Sequence, residues 1–112
     1  MKKIKINIAK DFTDYPGPRY ISQGEKSGEA FRNEILMPKY NVAKDTRAKL
    51  YIDLDGVYGY PPSFLEEAFG GLVRVTGEKA INVIDRVEFK CKARPYLNNE
   101  IKKYMIAAEV NK

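Results

Sequence analysis

LYIDLDGVYGYPPSFLEEAFGGLV, residues 50–73, decides how this chain is read. Leu50–Leu54 is apolar on both alternate faces apart from Asp53, which predicts a strand inside a sheet. Asp55-Gly56 reads as a tight turn, because Asp bonds nearby backbone and Gly accepts positive φ. Tyr58, Tyr60, Pro61 and Pro62 then make an aromatic, proline-rich loop. Ser63 opens a helix in which Phe64, Leu65, Ala68, Phe69, Leu72 and Val73 recur at helical spacing, a stripe wide enough for a well-buried helix. Ser63-Phe64-Leu65-Glu66 has the form of a capping box, with the serine at the N-cap and Glu66 reaching back.

Working outward, Ile4, Ile6 and Ile8 alternate with Lys3, Lys5 and Asn7, the period of a half-buried strand. Asp11–Lys26 carries Pro16, Gly17, Pro18 and Gly24 and reads as a loop, with a short strand around Arg19–Ser22. Ser27 is an N-cap for a helix from Gly28 to about Met37, which Pro38 is expected to end. Beyond the central stretch, Gly77 interrupts and Glu78–Ile84 makes a short helix. Val87, Phe89 and Cys91 alternate with Arg86, Glu88, Lys90 and Lys92 as a further strand. Pro95 suits the first turn of a closing helix, along which Leu97, Ile101, Tyr104, Met105 and Ala108 share a face. The expectation is one α/β domain over 1–112, a mixed sheet of about four strands with helices packed mainly on one face.

Apolar residues at 44% and charged residues at 31% describe a chain that folds rather than a disordered one. No apolar run approaches the roughly 18 residues of a membrane span. Lysine recurs at alternate positions after the first residues, which excludes an apolar signal core and predicts a cytoplasmic protein. Cys91 is the single cysteine, so neither an internal disulfide nor a cysteine-based metal site is expected. Histidine is absent, which removes the commonest general base, metal ligand and nucleophile partner. The reading is therefore non-enzymatic, with no catalytic residue, metal or cofactor. The net charge of +5 is spread along the chain without a block of like charges.

Two separate chemical readings rest on different residues. Asp53-Leu54-Asp55-Gly56-Val57 after an apolar strand resembles the first motif of haloacid-dehalogenase-type phosphatases, a nucleophile and an acid/base able to share Mg²⁺. That chemistry needs an acidic cluster at a later strand, and in the 57 residues after Asp55 only Asp85 and Glu88 flank a strand start, with no Gly-Asp motif. Asp53 is better read as a half-buried carboxylate that caps backbone amides or pairs with a basic neighbour. The nucleic-acid reading uses Lys3, Lys5, Lys90 and Lys92 on an open sheet face with Tyr51 as a stacking platform. Gly24-Glu25-Lys26-Ser27 is not a phosphate loop, because Glu25 breaks the run.

A more specific likeness lies in the strand, Asp-x-x-Gly-Val, loop, Ser-Phe and helix ending near Phe-Gly-Gly. Asp53, Gly56, Val57, Ser63, Phe64, Phe69, Gly70 and Gly71 stand at those positions, with Arg19 and Ser27-Gly28-Glu29 upstream. This resembles the STAS-like domain family of unknown function of bacteria, archaea and their mobile elements, related in layout to the STAS domain of anti-sigma-factor antagonists. The resemblance implies a prokaryotic regulatory module that binds a protein partner, such as a histidine-kinase-like ATPase. The implied surface is Tyr58, Tyr60, Pro61, Pro62, Ser63, Phe64 and Glu67, with Ser63 as a phosphorylation site whose added charge would break the complex. Anti-sigma antagonists carry Asp-Ser-Ser-Gly before the helix and phosphorylate the first serine. Here Pro61-Pro62-Ser63-Phe64 places proline at that position and leaves only the second serine.

Overall fold

The computed structural model describes residues 3–109. Three strands, β1 (Ile4–Asn7), β2 (Leu50–Asp53) and β3 (Val87–Lys90), pair in that order as one parallel sheet. Between β1 and β2 run the single turn α1 (Ile8–Asp11), a 3₁₀ turn at Ile21–Gln23, and a long helix made of α2 (Gly28–Phe31), a π segment (Arg32–Leu36) and α3 (Met37–Asp45). Between β2 and β3 lies a second long helix of the same build: α4 (Pro62–Leu65), a π segment (Glu66–Gly70) and α5 (Gly71–Thr76), followed by α6 (Ala80–Arg86). Helix α7 (Leu97–Glu109) closes the described chain. None of these helices is long and apolar enough to cross a membrane.

Strand alternation divides the sheet into two unlike faces. Ile6, Leu50, Ile52 and Val87 point to the helices and are buried with Phe31, Leu36, Tyr40, Phe64, Phe69 and Leu72. The opposite face carries Lys5, Tyr51 and Glu88 side by side, then Asn7, Asp53 and Lys90. The helices therefore lie on one face, as expected.

The sheet itself differs from expectation: three parallel strands among the described residues, not a mixed sheet of about four. The segment read as a strand at Arg19–Ser22 makes the 3₁₀ turn instead. Its hydrogen bonds explain why. Gly28 and Glu29 donate their backbone N–H to Pro18 and Arg19 carbonyls at 2.9 and 3.0 Å, and Ile21 N–H reaches the Glu29 carboxylate at 2.9 Å. The loop thus closes onto the start of its own helix and leaves the sheet with no partner there. The first strand also stops earlier than its alternation suggests. Asn7 accepts from Lys10 N–H at 3.1 Å while Asp11 accepts from Asn7 N–H at 2.7 Å, a local exchange that turns the chain into α1.

Pro38 does not end its helix, which runs on to Asp45. A proline inside a helix loses one backbone bond and crowds the preceding turn. Here the wider π turn at Arg32–Leu36 precedes it, so the ring falls where the ordinary hydrogen-bond ladder is already displaced. Helix α6 sits about two residues later than the spacing suggests, the usual uncertainty of helix ends.

The two serines read as N-caps part company. Ser27 is buried and its hydroxyl accepts from Ala30 N–H at 3.0 Å, as expected. Ser63 does not cap: Pro61 occupies the N-cap place, Pro62 follows, and no side chain caps this terminus. The helix begins two residues earlier than the capping box requires, so Ser63 lies inside its first turn and Glu66 is taken by Arg19 and Arg74 instead. Ser27→Ala is expected to cost about 1 kcal/mol, and Ser63→Ala no more than about 0.5 kcal/mol. Urea unfolding of the two variants tests this; equal losses would restore a capping role to Ser63.

Candidate functional site

The loop after β2 is fixed at both ends by hydrogen bonds. Asp53 ends the strand, and its carboxylate accepts from Asp55 N–H at 2.9 Å and lies 3.6 Å from the Lys90 ammonium. Asp55 accepts from the backbone N–H groups of Lys92 and Ala93, both at 3.0 Å, which ties this turn to the chain leaving β3. Those two backbone bonds hold the Asp55 carboxyl below its ordinary value. Gly56 has φ of 91°, a left-handed conformation that side chains resist. Both carboxylates of the phosphatase reading are thus engaged with the frame. Among the described residues no three His, Cys, Asp or Glu side chains gather as a metal would need.

Further along, Tyr58 N–H donates to the Asp14 carbonyl at 2.9 Å, and Arg94 donates to the Tyr58 carbonyl at 2.8 Å. Tyr60 turns inward, its hydroxyl donating to the Leu54 carbonyl at 2.7 Å, and burial pushes that hydroxyl well above the ordinary phenol range. Tyr58 stays outside at 75% exposed and meets Tyr15, 73% exposed, with ring centroids 5.9 Å apart. Tyr15, Pro16, Tyr58, Gly59, Tyr60 and Pro61 enclose a shallow groove of about 500 Å³.

Of the residues expected on a partner surface, Tyr58, Pro61, Pro62 and Ser63 keep exposure, and Tyr60 lines the groove with its ring. Phe64 and Glu67 face the interior. Phe64 is fully buried against Phe31, Phe12 and Tyr60 at centroid distances of 5.9, 6.4 and 6.2 Å. Glu67 forms a buried pair with Arg32: the guanidinium donates to the Glu67 carboxylate at 2.7 Å and to its carbonyl at 2.8 Å, with side chains 9% and 11% exposed. Arg19 and Arg74 join the same cluster, at 2.5 and 2.6 Å from Glu66 and at 3.3 and 3.6 Å from Glu67. Burial acts to raise the Glu66 carboxyl, but the bonds from Arg74 and Arg19 outweigh it and hold it low. The sequence pointed to Arg19 but missed Arg32 and Arg74. The signal was present: Glu67 falls on the apolar stripe with Phe64, and a buried acid requires a basic partner.

A model of the family described as STAS-like domain of unknown function matches residues 27–90, from the Ser27 cap to the end of β3. The chain belongs to that family. No curated protein and no solved structure matches it.

In this STAS-like domain the quoted motif is largely framework. Gly28 lets the two long helices touch, since a Cβ there would lie 2.5 Å from the Phe64 carbonyl oxygen. A Cβ at Gly71 would strike the Arg32 guanidinium, and one at Gly70 would lie 2.6 Å from the Glu66 carboxylate. Phe69 stands edge-on to Phe89 at 5.3 Å and joins the helix to β3. The open sheet face, meanwhile, is balanced rather than basic. Lys90 pairs with Asp53, Glu88 lies 3.8 Å from Lys49, and Lys3 sits 5.3 Å above the Tyr51 ring. Acidic groups between the lysines weaken its attraction for a phosphate backbone.

Two predictions follow from these charges. Glu67→Gln leaves Arg32 buried without its counter-charge and is expected to cost about 3–5 kcal/mol. The Arg32 Nε has no acceptor among the described residues, so the pair is incompletely satisfied even in the native state. Arg32→Met combined with Glu67→Leu should therefore recover most of that loss in urea unfolding, and failure to recover would mean the charges stabilise the fold outright. The second concerns acid. Asp55 and Glu66 have folded values below their ordinary 3.8 and 4.5, so their contribution is present above those values and disappears as pH falls through the lowered ones. Thermal melts should show stability falling below about pH 4.5, and Asp55→Asn should start lower and fall less steeply.

Proposed function

We propose that this STAS-like domain is a non-enzymatic, cytoplasmic regulatory module that associates with a partner protein through the loop from Gly56 to Ser63. The partner that this reading favours is a histidine-kinase-like ATPase. The observation that carries it is Tyr58, a large aromatic three-quarters exposed on a loop whose backbone is held in place. An anchor ordered before binding loses little entropy on binding, and tyrosines of this kind contribute disproportionately to interfaces.

The geometry supports a surface more than a phosphate switch. Ser63 is half-exposed in the first turn of α4, but Pro61 and Pro62 withhold two of the amides that usually favour an anion at a helix start. Binding at this loop therefore does not depend on modification of Ser63.

A photo-cross-linking residue placed at Tyr58, and separately at Tyr51 on the open sheet face, tests the surface with the purified ATPase. An adduct from position 58 and not from position 51 is expected. Calorimetry with Tyr58→Ala should show a loss of about 2 kcal/mol in binding. Cross-linking from position 51 alone would move the interface to the sheet and overturn the proposal.

A further inference from the structure

We infer that the groove lined by Tyr15 and Tyr58 receives an extended, proline-rich segment of the partner that carries a basic residue beside its prolines. The inference rests on the reading of the loop as a docking surface, and it names what docks there.

Size and backbone chemistry select the shape of the occupant. The groove is shallow, about 500 Å³, with room for a few residues of extended chain. It offers an added β-strand no continuous ladder, for the Gly59 amide, free among the described residues, stands among groups already used. Pro16 and Pro61 have no N–H, Tyr58 N–H is given to the Asp14 carbonyl, and the Val57 and Tyr58 carbonyls accept from Arg94 at 3.4 and 2.8 Å. Polyproline II needs no such ladder. It carries its own solvated carbonyls on a stiff backbone and is bound in aromatic-lined grooves.

The tyrosine pair is suited to that backbone. The rings stand edge-on to each other at 62°, in contact, so together they form one aromatic surface along the groove, with Pro16 and Pro61 beside them. Neither the Tyr15 nor the Tyr58 hydroxyl has a partner among the described residues, which leaves two donors for peptide carbonyls. Tyr60, fixed beneath by its bond to Leu54, keeps the groove open without the ligand.

Charge selects the flanking residue. No cation lines the groove, and Asp14 stands exposed at its rim next to Tyr15, its carboxylate free of any hydrogen bond or ion pair among the described residues. An arginine or lysine beside the prolines would meet that carboxylate. A nucleic-acid backbone would be repelled by it, so stacking of bases on the tyrosines is disfavoured.

The test is a titration of the full chain, followed by amide and aromatic NMR shifts, with a short polyproline peptide ending in arginine. The same peptide ending in glutamate and a single-stranded oligonucleotide serve as comparisons. Saturable shifts centred on Tyr15, Tyr58 and Gly59 are expected with the arginine peptide. Tyr58→Ala should weaken it at least about tenfold, and Asp14→Asn should remove the preference for arginine over glutamate. No shift with either peptide, or shifts in the groove with the oligonucleotide alone, overturns the inference. If the ATPase binds and loses affinity with Tyr58→Ala while neither peptide binds, the docking surface stands and the proline-rich occupant falls. If the arginine peptide binds the groove and the ATPase does not bind, the occupant stands and the ATPase is the wrong partner.

Discussion

The buried ion pair between Arg32 and Glu67 is the constraint on which the rest of the structure depends. It joins the π segments of two long helices that otherwise meet through apolar side chains, Phe31 against Phe64 and Phe69. Apolar surfaces alone tolerate sliding by a helical turn, about 5.4 Å. A charge pair at 2.7 Å does not, because either partner left alone in the interior is costly. The helices must also come close enough for the pair to form. Gly28 and Gly71 permit that approach, since a Cβ at the first would strike Phe64 backbone and at the second the guanidinium itself.

The groove inherits its geometry from this arrangement. One wall, Tyr15, belongs to the loop before α2, and the other, Tyr58, to the loop before α4. Arg19, on the first loop, reaches Glu66 and Glu67 on the second helix, so the cluster that sets the helix register also holds the first loop. The Tyr58 N–H to Asp14 carbonyl bond then joins the two loops directly. A change in helix register would move the walls relative to each other. The spacing of the tyrosines is in this sense fixed from the interior, about two turns below the surface they form.

What was legible in the sequence was local. Alternation marked the two outer strands and a run apolar on both faces the central one, Ser27 announced its cap, and Asp53 and Asp55 could be read as turn and pairing groups because their partners lie on adjoining backbone. What was not legible depended on the π segments. Each inserts extra turn width into a helix, which rotates the following residues relative to a regular 3.6-residue count. Pro38 therefore continued a helix it was expected to end. Glu67 was expected at a surface although its place three residues after Phe64 already set it toward the buried side. The Ser63 cap failed for a different reason: Pro61 and Pro62 start the helix two residues earlier and leave Ser63 inside its first turn. The expected strand near Arg19 was lost to hydrogen bonds with Gly28 and Glu29, partners that periodicity cannot reveal.

A parallel sheet is ordinarily covered on both faces, and this one is covered on one. The uncovered face remains compatible with water because its residues answer one another. Asp53 meets Lys90, Glu88 faces Lys49, and Lys3 shields Tyr51. The lysines of the edge strands also discourage further strand pairing. A face so nearly neutralised by its own pairs has little left to offer a charged partner. The carboxyl end of the sheet differs, for there the polar groups are spent on the backbone and the aromatic rings are not. Asp55 is turned to the amides after β3 and Arg94 to the loop carbonyls, so the groups that hold the loop are the ones chemistry would otherwise have used. Tyr15 and Tyr58 are left with apolar area and unused hydroxyls, and the proposed association rests on that imbalance between a satisfied frame and an unsatisfied surface.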